Sequence, residues 1–318
     1  MPYLSETPSR LPCDAYTVGW VCIISVEHDA ARAMLDEEYD TPSTPGDSNA
    51  YIVGRIGSHN IVIARTNIAG GCPATQVVTN MLRSFRNIRF GLLVGIGGGA
   101  TTAPRPRKPT DIFLGDVVVS KPEYSHGGIL YYRKALGGGF ENDSYHYYPG
   151  QLLTSSAASL AQTHSNGGGH MARYIREAQS KLRALDMDYF AFPGREHDRL
   201  FSSSYEHPKS SGEDCIRCDK SQLVMRAPRS VQDPVVHYGL VASSDVLVRD
   251  ANFRDSMRHD HGVLCFEMEA FGVMRSFSCL AIRGIADYAD NHKCDRWQPY
   301  AALAAAAYAK DLLMLIKP

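Results

Sequence analysis

The run Cys265-Phe266-Glu267-Met268-Glu269-Ala270 places two carboxylates two residues apart, between an apolar run and a helical one. Charged groups rarely enter such surroundings without a partner. A carboxylate accepts through two oxygens, which suits a vicinal diol such as that of a ribose. Positions i and i+2 point to different sides of a helix, so the two acids have separate tasks; capping the helix N-terminus is the plain alternative for either one. A second candidate is Asp287, which ends the apolar segment Ala281–Ala286. Ligands of open α/β sheets bind at the carboxyl ends of strands, and burial there would favour the protonated form that a general acid needs. Pairing with Arg283 is what Asp287 would do otherwise. Val94-Gly95-Ile96-Gly97-Gly98-Gly99-Ala100 satisfies the dinucleotide pattern G-x-G-x-x-A. Pro104, Pro106 and Pro109 forbid the helix whose amides would receive a pyrophosphate. The glycines still offer backbone that a small ligand can approach closely. Cys215 and Cys218 form a C-x-x-C pair with only His197 and His207 nearby in sequence. That is half of a zinc site, a redox pair or a loop-stapling disulfide, and no metal role is assigned to it.

The elements that must position these residues are legible from periodicity. Thr17–Val26 reads as a buried strand and His28–Glu37 as the helix after it. Tyr51–Ile56 and Asn60–Ala64, separated by Gly57-Ser58-His59, read as a hairpin. Pro73–Phe85 has a helical apolar period, while Phe90–Ile96, Ile112–Ser120, Val235–Ala242, Gly262–Phe266 and Leu280–Ile285 are strand-like. Glu267–Phe277 and Pro299–Ile316 close the chain as helices. Strands alternating with helices predict an α/β three-layer sandwich, a central mixed sheet flanked by helices. The stretch 137–234 is rich in Gly, Ser, His, Tyr and Pro, with one helix expected over Met171–Leu185. A structureless loop of that length is unusual in a compact domain. It is read as an excursion over the site within one domain, residues 14–318, behind a short tail, residues 1–13.

Composition excludes several classes of partner. Thirty-three Lys and Arg against 34 Asp and Glu leave a net charge of −1 over 318 residues, so no global field recruits nucleic acid or an anionic membrane. The apolar runs are too short, or cut by Lys310-Asp311, for a spanning helix. The N-terminal residues lack the apolar core of a signal peptide, so a cytoplasmic location is expected. Eight cysteines scattered through apolar segments read as reduced core thiols.

Taken together, VGIGGG at 94–99, DIFLGDVVVS at 111–120, HYGLVASSD at 237–245, CFEMEAFGVM at 265–274 and IRGIADYAD at 282–290 resemble, in order and spacing, the nucleoside phosphorylase/nucleosidase superfamily. WQPYAALAAAAYAKDLL at 297–313 and the middle insertion resemble its fungal branch, whose members often join ankyrin repeats or a nucleotide-binding receptor-like ATPase. The resemblance spans about residues 14–316. It implies cleavage of an N-glycosidic bond with water or phosphate as acceptor, no metal or organic cofactor, a purine nucleoside as ligand and a homodimer. It assigns Asp287 to the departing base and Met268 and Glu269 to the ribose, with Glu267 in support. Either Glu27 or Asp29 positions the water. Gly97, Gly98, Ser244, Asp245, Leu247 and Tyr288 fall in the segments that build the base pocket; Leu247 stands where relatives carry a stacking aromatic, so Tyr288 or an aromatic of the insertion is expected to take that task. Leu93 replaces the arginine with which hexameric-type phosphorylases grip phosphate, which favours water unless Arg65 or Arg89 substitutes. A nucleotide substrate would need cations such as Arg105, Arg107 and Lys108. The rival readings are a phosphate-dependent phosphorylase, and a nucleoside- or ATP-cleaving effector module, or non-catalytic sensor, of a larger protein.

Overall fold

The computed structural model describes residues 10–66, 68–101, 111–123, 126–134, 140–143, 148–208, 215–229 and 231–317. Arg105, Arg107 and Lys108 therefore lie outside the described residues. The chain runs β1 (Val18–Cys22), α1 (Ser25–Ala33), β2 (Glu37–Tyr39), β3 (Tyr51–Ile56), β4 (His59–Arg65), α2 (Gly71–Ser84), β5 (Phe90–Gly99), β6 (Val117–Ser120), β7 (Ile129–Lys134) and β8 (Phe140–Asp143). It continues through α3 (Gln151–Ser165), α4 (Met171–Arg183), β9 (Val236–Ser243), α5 (Ala251–His261), β10 (Val263–Glu267), α6 (Ala270–Ser276), β11 (Cys279–Asp287) and α7 (Gln298–Leu315).

The strands form one mixed sheet in the order β2-β3-β4-β1-β5-β11-β6-β9-β7-β8. β10 pairs parallel with β9 and antiparallel with the far end of β5, at Gly98 and Gly99. Strands β5, β11, β6, β9 and β10 thus close on themselves, so the expected flat three-layer sandwich gives way to a helix-flanked sheet with a barrel at one side. The glycine run is what permits closure: a Cβ at Gly97 would stand 2.4 Å from Cys265 Sγ. These glycines therefore extend β5 to Gly99 and do not end it at Ile96.

β1 stops at Cys22, four residues short of the strand read from sequence, because Glu27 turns back on the chain. Its Oε2 accepts from the amides of Ile23 (2.7 Å) and Ile24 (3.2 Å), starting α1 at Ser25. The insertion carries a second helix that the sequence hid, α3, whose Ser, Thr and Ala content has little apolar period. Helix α7 is buried over most of its length, as an alanine-rich helix without a polar face must be. It lies so close to β11 that a Cβ at Gly284 would sit 1.8 Å from the Ala301 carbonyl oxygen. Among the described residues no helix is long and apolar enough to cross a membrane.

Candidate active site

A cavity of about 300 Å³ opens where the carboxyl ends of β5 and β11 meet the first turn of α1 and the β10–α6 junction. Ile23, Ile24, Ile96 and Phe266 supply apolar wall, Gly97 and Gly98 supply bare backbone, and Leu247, half exposed, stands at the rim. The same cavity receives Glu27, Glu267, Met268, Glu269, Asp287 and Lys293. Such a concave, mainly apolar space with a few convergent polar groups is how small-molecule sites are built.

Three glutamates gather here around one guanidinium. Arg283, in the middle of β11 and 1% exposed, donates Nη2 to Glu267 Oε2 at 2.5 Å and lies 3.4 Å from Glu269 Oε2. Glu267 is committed elsewhere too, for its oxygens accept from the amides of Glu269 (3.0 Å) and Ala270 (2.9 Å), capping α6. Its carboxylate therefore positions the junction, and the supporting part is the one it can take. Glu269 keeps more freedom: Oε1 accepts only a long bond from the Gly70 amide, at 3.3 Å. Burial raises its pKa to about 7; Arg283 opposes the rise, and Glu267 and Glu27 add to it. Burial likewise raises the pKa of Glu27, against the pull of Arg283 and of the amides of Ile96, Ile23 and Ile24. Glu27 Oε1 accepts from the Ile96 amide at 2.8 Å. A Cβ at Gly95 would stand 2.4 Å from that oxygen and 2.7 Å from Arg283 Nη1, so only glycine leaves room for both groups over β5.

Asp287 sits at the end of β11, where the register against β5 slips between Ile285 and Asp287. Such a bulge re-aims a side chain. Asp287 Oδ1 accepts from the Ala289 amide at 2.9 Å, and Oδ2 meets Lys293 Nζ at 2.5 Å. Ala289 holds a left-handed backbone, φ 51°, a strained conformation of the kind that clusters at functional sites. Asp287 does not pair with Arg283, whose partners are the glutamates.

The structure separates the acids that the sequence left competing. Glu27 lines the cavity, whereas Asp29 lies one helical step on and lines a different hollow beside Arg32 and Lys181. Tyr288 is displaced from the assignment to the base: it is 3% exposed and points away, its hydroxyl donating to Asp198 Oδ1 at 2.5 Å and accepting from Arg226 at 2.8 Å. Side chains alternate across a strand end, so the neighbour of an inward Asp287 faces out. Ser244 and Asp245 also stay outside the lining. Ser244 Oγ accepts from the Val246 amide at 3.3 Å, and Asp245 Oδ1 accepts from the Gly71 amide at 2.8 Å at the start of α2. The loop they begin does reach the rim through Val246, Leu247 and Val248. Two residues escaped sequence reading. Arg283 left a signal, since an arginine inside an apolar strand must find carboxylates; Lys293, in a polar loop, left none.

Outside this cavity a second cluster brings His207, Cys215, Cys218 and His292 together, their ligand atoms within 4.8 Å of one another. His197, one of the two histidines named beside the cysteine pair, is not among them.

No family model matches the chain. A nucleotide-binding leucine-rich-repeat-like protein of Hyaloscypha variabilis is 39% identical over 315 residues, 98% of this chain and 30% of that protein. An ATP nucleosidase, Cap17, of Escherichia coli is 34% identical over 85 residues, 25% of this chain and 17% of its own length. The chain thus spans less than a third of either relative. Among solved structures, futalosine hydrolase of Helicobacter pylori superposes with a TM-score of 0.58 at 14% identity, covering 94% of this chain and 98% of its own. A 5′-methylthioadenosine/S-adenosylhomocysteine nucleosidase of Neisseria meningitidis gives 0.57 at 14% identity, covering 93% and 98%. The chain has the fold of the nucleoside phosphorylase/nucleosidase superfamily, as its motifs indicated, and its long fungal relative agrees with the fungal character of the insertion and last helix.

Proposed function

We propose that this cavity hydrolyses the N-glycosidic bond of a purine nucleoside to free base and ribose. The observation that carries the reading is the buried charge count: Glu27, Glu267 and Glu269 face one guanidinium, and the other pair, Asp287 and Lys293, is balanced. An excess of negative charge in a dry site opposes burial, but it complements positive charge that develops on a ribosyl ring as the bond to the base breaks. Glu269, with one loosely held oxygen and one facing Arg283, is placed to accept from the ribose hydroxyls, with Met268 beside it. Asp287 receives the departing base at a ring nitrogen and relays to it a proton from the Lys293 ammonium that it touches. Glu27 keeps one free lone pair, on Oε1, beside its three amide bonds, enough to orient a water. The oxygen of that water bonds to the anomeric carbon, its proton passes to Glu27, and the electron pair of the broken bond leaves with the base.

Water is favoured over phosphate as acceptor because, among the described residues, the cavity has no free clamp for a dianion. Leu93 is wholly buried in the core of β5, and Arg89 is exposed at the opposite end of that strand. Arg65 turns to Ser25 Oγ, 3.2 Å away, and does not line the cavity. A buried anion without paired charge is strongly disfavoured. A second reading, an ATP-cleaving effector module of a larger protein, is favoured by one observation: the relative matched along 98% of this chain, a nucleotide-binding leucine-rich-repeat-like protein, is more than three times as long. Chromatography of base released from adenosine, guanosine, inosine, uridine and ATP, with and without phosphate, tests both. Free ribose at a rate indifferent to phosphate is expected; strict phosphate dependence with ribose 1-phosphate as product would overturn the hydrolase, and ATP as the best substrate would select the effector reading.

A further inference from the structure

The insertion and the loop after β11 meet at four side chains that the glycosidic chemistry does not use. His292 Nδ1 lies 3.7 Å from Cys215 Sγ and 3.7 Å from Cys218 Sγ, and His207 completes a set whose ligand atoms all fall within 4.8 Å. In a tetrahedral zinc site with Zn–S near 2.3 Å and Zn–N near 2.0–2.1 Å, the sulfur-to-nitrogen edge is about 3.6 Å. Both observed edges match that spacing, and the four ligand atoms gather within 4.8 Å of one another as one set. The tautomer is fixed as well. His292 Nε2 lies 3.1 Å from the Tyr205 carbonyl oxygen, which can only accept, so Nε2 carries the proton and Nδ1 turns a lone pair toward the sulfurs. A backbone carbonyl on the far nitrogen is the usual outer support of a metal-bound imidazole. The ring is further clamped by stacking on Phe201 at 4.1 Å, and its own amide donates to Asp290 at 2.9 Å. Cys215 and Cys218 are 5% and 4% exposed, and Cys215 holds a left-handed backbone, φ 56°, a strained conformation that persists only where the surroundings demand it.

We infer that His207, Cys215, Cys218 and His292 form a structural zinc centre that ties the insertion to the loop carrying Lys293. Two thiols and two imidazoles in a closed set are the donors that select tetrahedral zinc, with no open position for catalysis. The ligands come from two distant stretches, 207–218 and 292, so the metal works as a cross-link. Lys293 follows a ligand directly and reaches Asp287 at 2.5 Å; holding His292 therefore holds the ammonium against the acid at the end of β11. Binding displaces the two thiol protons to solvent and changes no oxidation state.

The whole chain, purified reduced and without chelator, should carry close to one zinc by elemental mass spectrometry. Replacing zinc with cobalt should give the visible d–d bands of a tetrahedral site and a thiolate-to-cobalt charge-transfer band. Cys218→Ser should abolish that band. His207→Ala, at the most exposed corner, should retain the fold and weaken zinc in a chelator competition by more than the roughly 10–100-fold that losing an outer support costs. Should Cys218→Ser fail to fold, the cobalt spectrum of the unaltered chain and the His207→Ala competition still decide. Zinc content near zero after incubation with the metal, an octahedral cobalt spectrum, or a Cys215–Cys218 disulfide found by mass in freshly isolated protein would overturn the assignment. Metal content and cobalt spectrum report on this centre whether or not the protein cleaves nucleosides; slower base release on chelation is the added consequence that rests on the proposed function.

Discussion

Glu269→Gln should make the protein more stable and less active at once, with the stability gain depending on pH. A carboxyl whose pKa is raised by folding, here from the ordinary 4.5 to about 7, holds its proton more tightly in the folded chain than in the unfolded one. Its contribution thus favours folding below about pH 4.5, fades as the pH rises and is fully lost above about 7. At pH 8 the ionised group opposes folding by at most ~3 kcal/mol, from the 1.36 kcal/mol that each pK unit represents; at pH 5 the opposition is under about 1 kcal/mol. Glutamine keeps the oxygen that accepts from the Gly70 amide and removes the charge, leaving Arg283 paired with Glu267. For a domain of this size the gain is worth a few degrees in Tm at pH 8 and little at pH 5. Activity moves the other way, since a charge-assisted hydrogen bond to the ribose diol is worth roughly 1.5–3 kcal/mol, about 10- to 150-fold in kcat/KM. Differential scanning fluorimetry at the two pH values and base release from ribo- and 2′-deoxyribonucleosides measure both, with a smaller loss expected for the deoxy sugar. A variant destabilised at pH 8, or equal losses for the two sugars, would refute the reasoning.

The same raised pKa predicts an acid limb in kcat/KM for the unaltered protein, falling below about pH 7 as Glu269 takes up its proton; a profile flat from pH 5.5 to 8 would remove Glu269 from binding. Asp287→Asn should cost about 10²–10⁴ in kcat with an unchanged melting profile, and near-normal turnover would clear Asp287 of any part in the chemistry. Arg283→Met strips the buried guanidinium from three buried glutamates and should destabilise by about 3–5 kcal/mol, seen as a lowered urea midpoint; an unaffected midpoint would mean that the glutamates are already protonated. Gly95→Ala drives a methyl to 2.4 Å from Glu27 Oε1, so it should lower kcat far more than Gly46→Ala, whose Cβ meets nothing within 4 Å, although the left-handed backbone there carries its own small strain.

What the sequence determined by itself was local or pattern-borne. Apolar runs such as Val18–Cys22 and Cys279–Ala286 bury on both faces, so their strands could be placed without knowing their neighbours. The alternation of strands and helices gave the α/β class, and ordered motifs pointed to Asp287, Glu269 and either Glu27 or Asp29. Tertiary structure decided whatever depends on who stands across the chain. Glu27 lines the cavity and Asp29 does not, because the Ile96 amide, 69 residues away, meets Glu27 on the inner side of α1. Arg283 chose Glu267 and left Asp287 to Lys293, a pairing fixed by side-chain direction along β11 and by a one-residue slip in its register. Tyr288 turned outward for the same reason. Closure of the barrel needed β10 to reach the glycines of β5, and His292 joined Cys215 across 77 residues. A periodic pattern reports which face of an element is apolar; it carries no record of which polar groups meet once those faces pack, because that depends on distances the chain acquires only by folding.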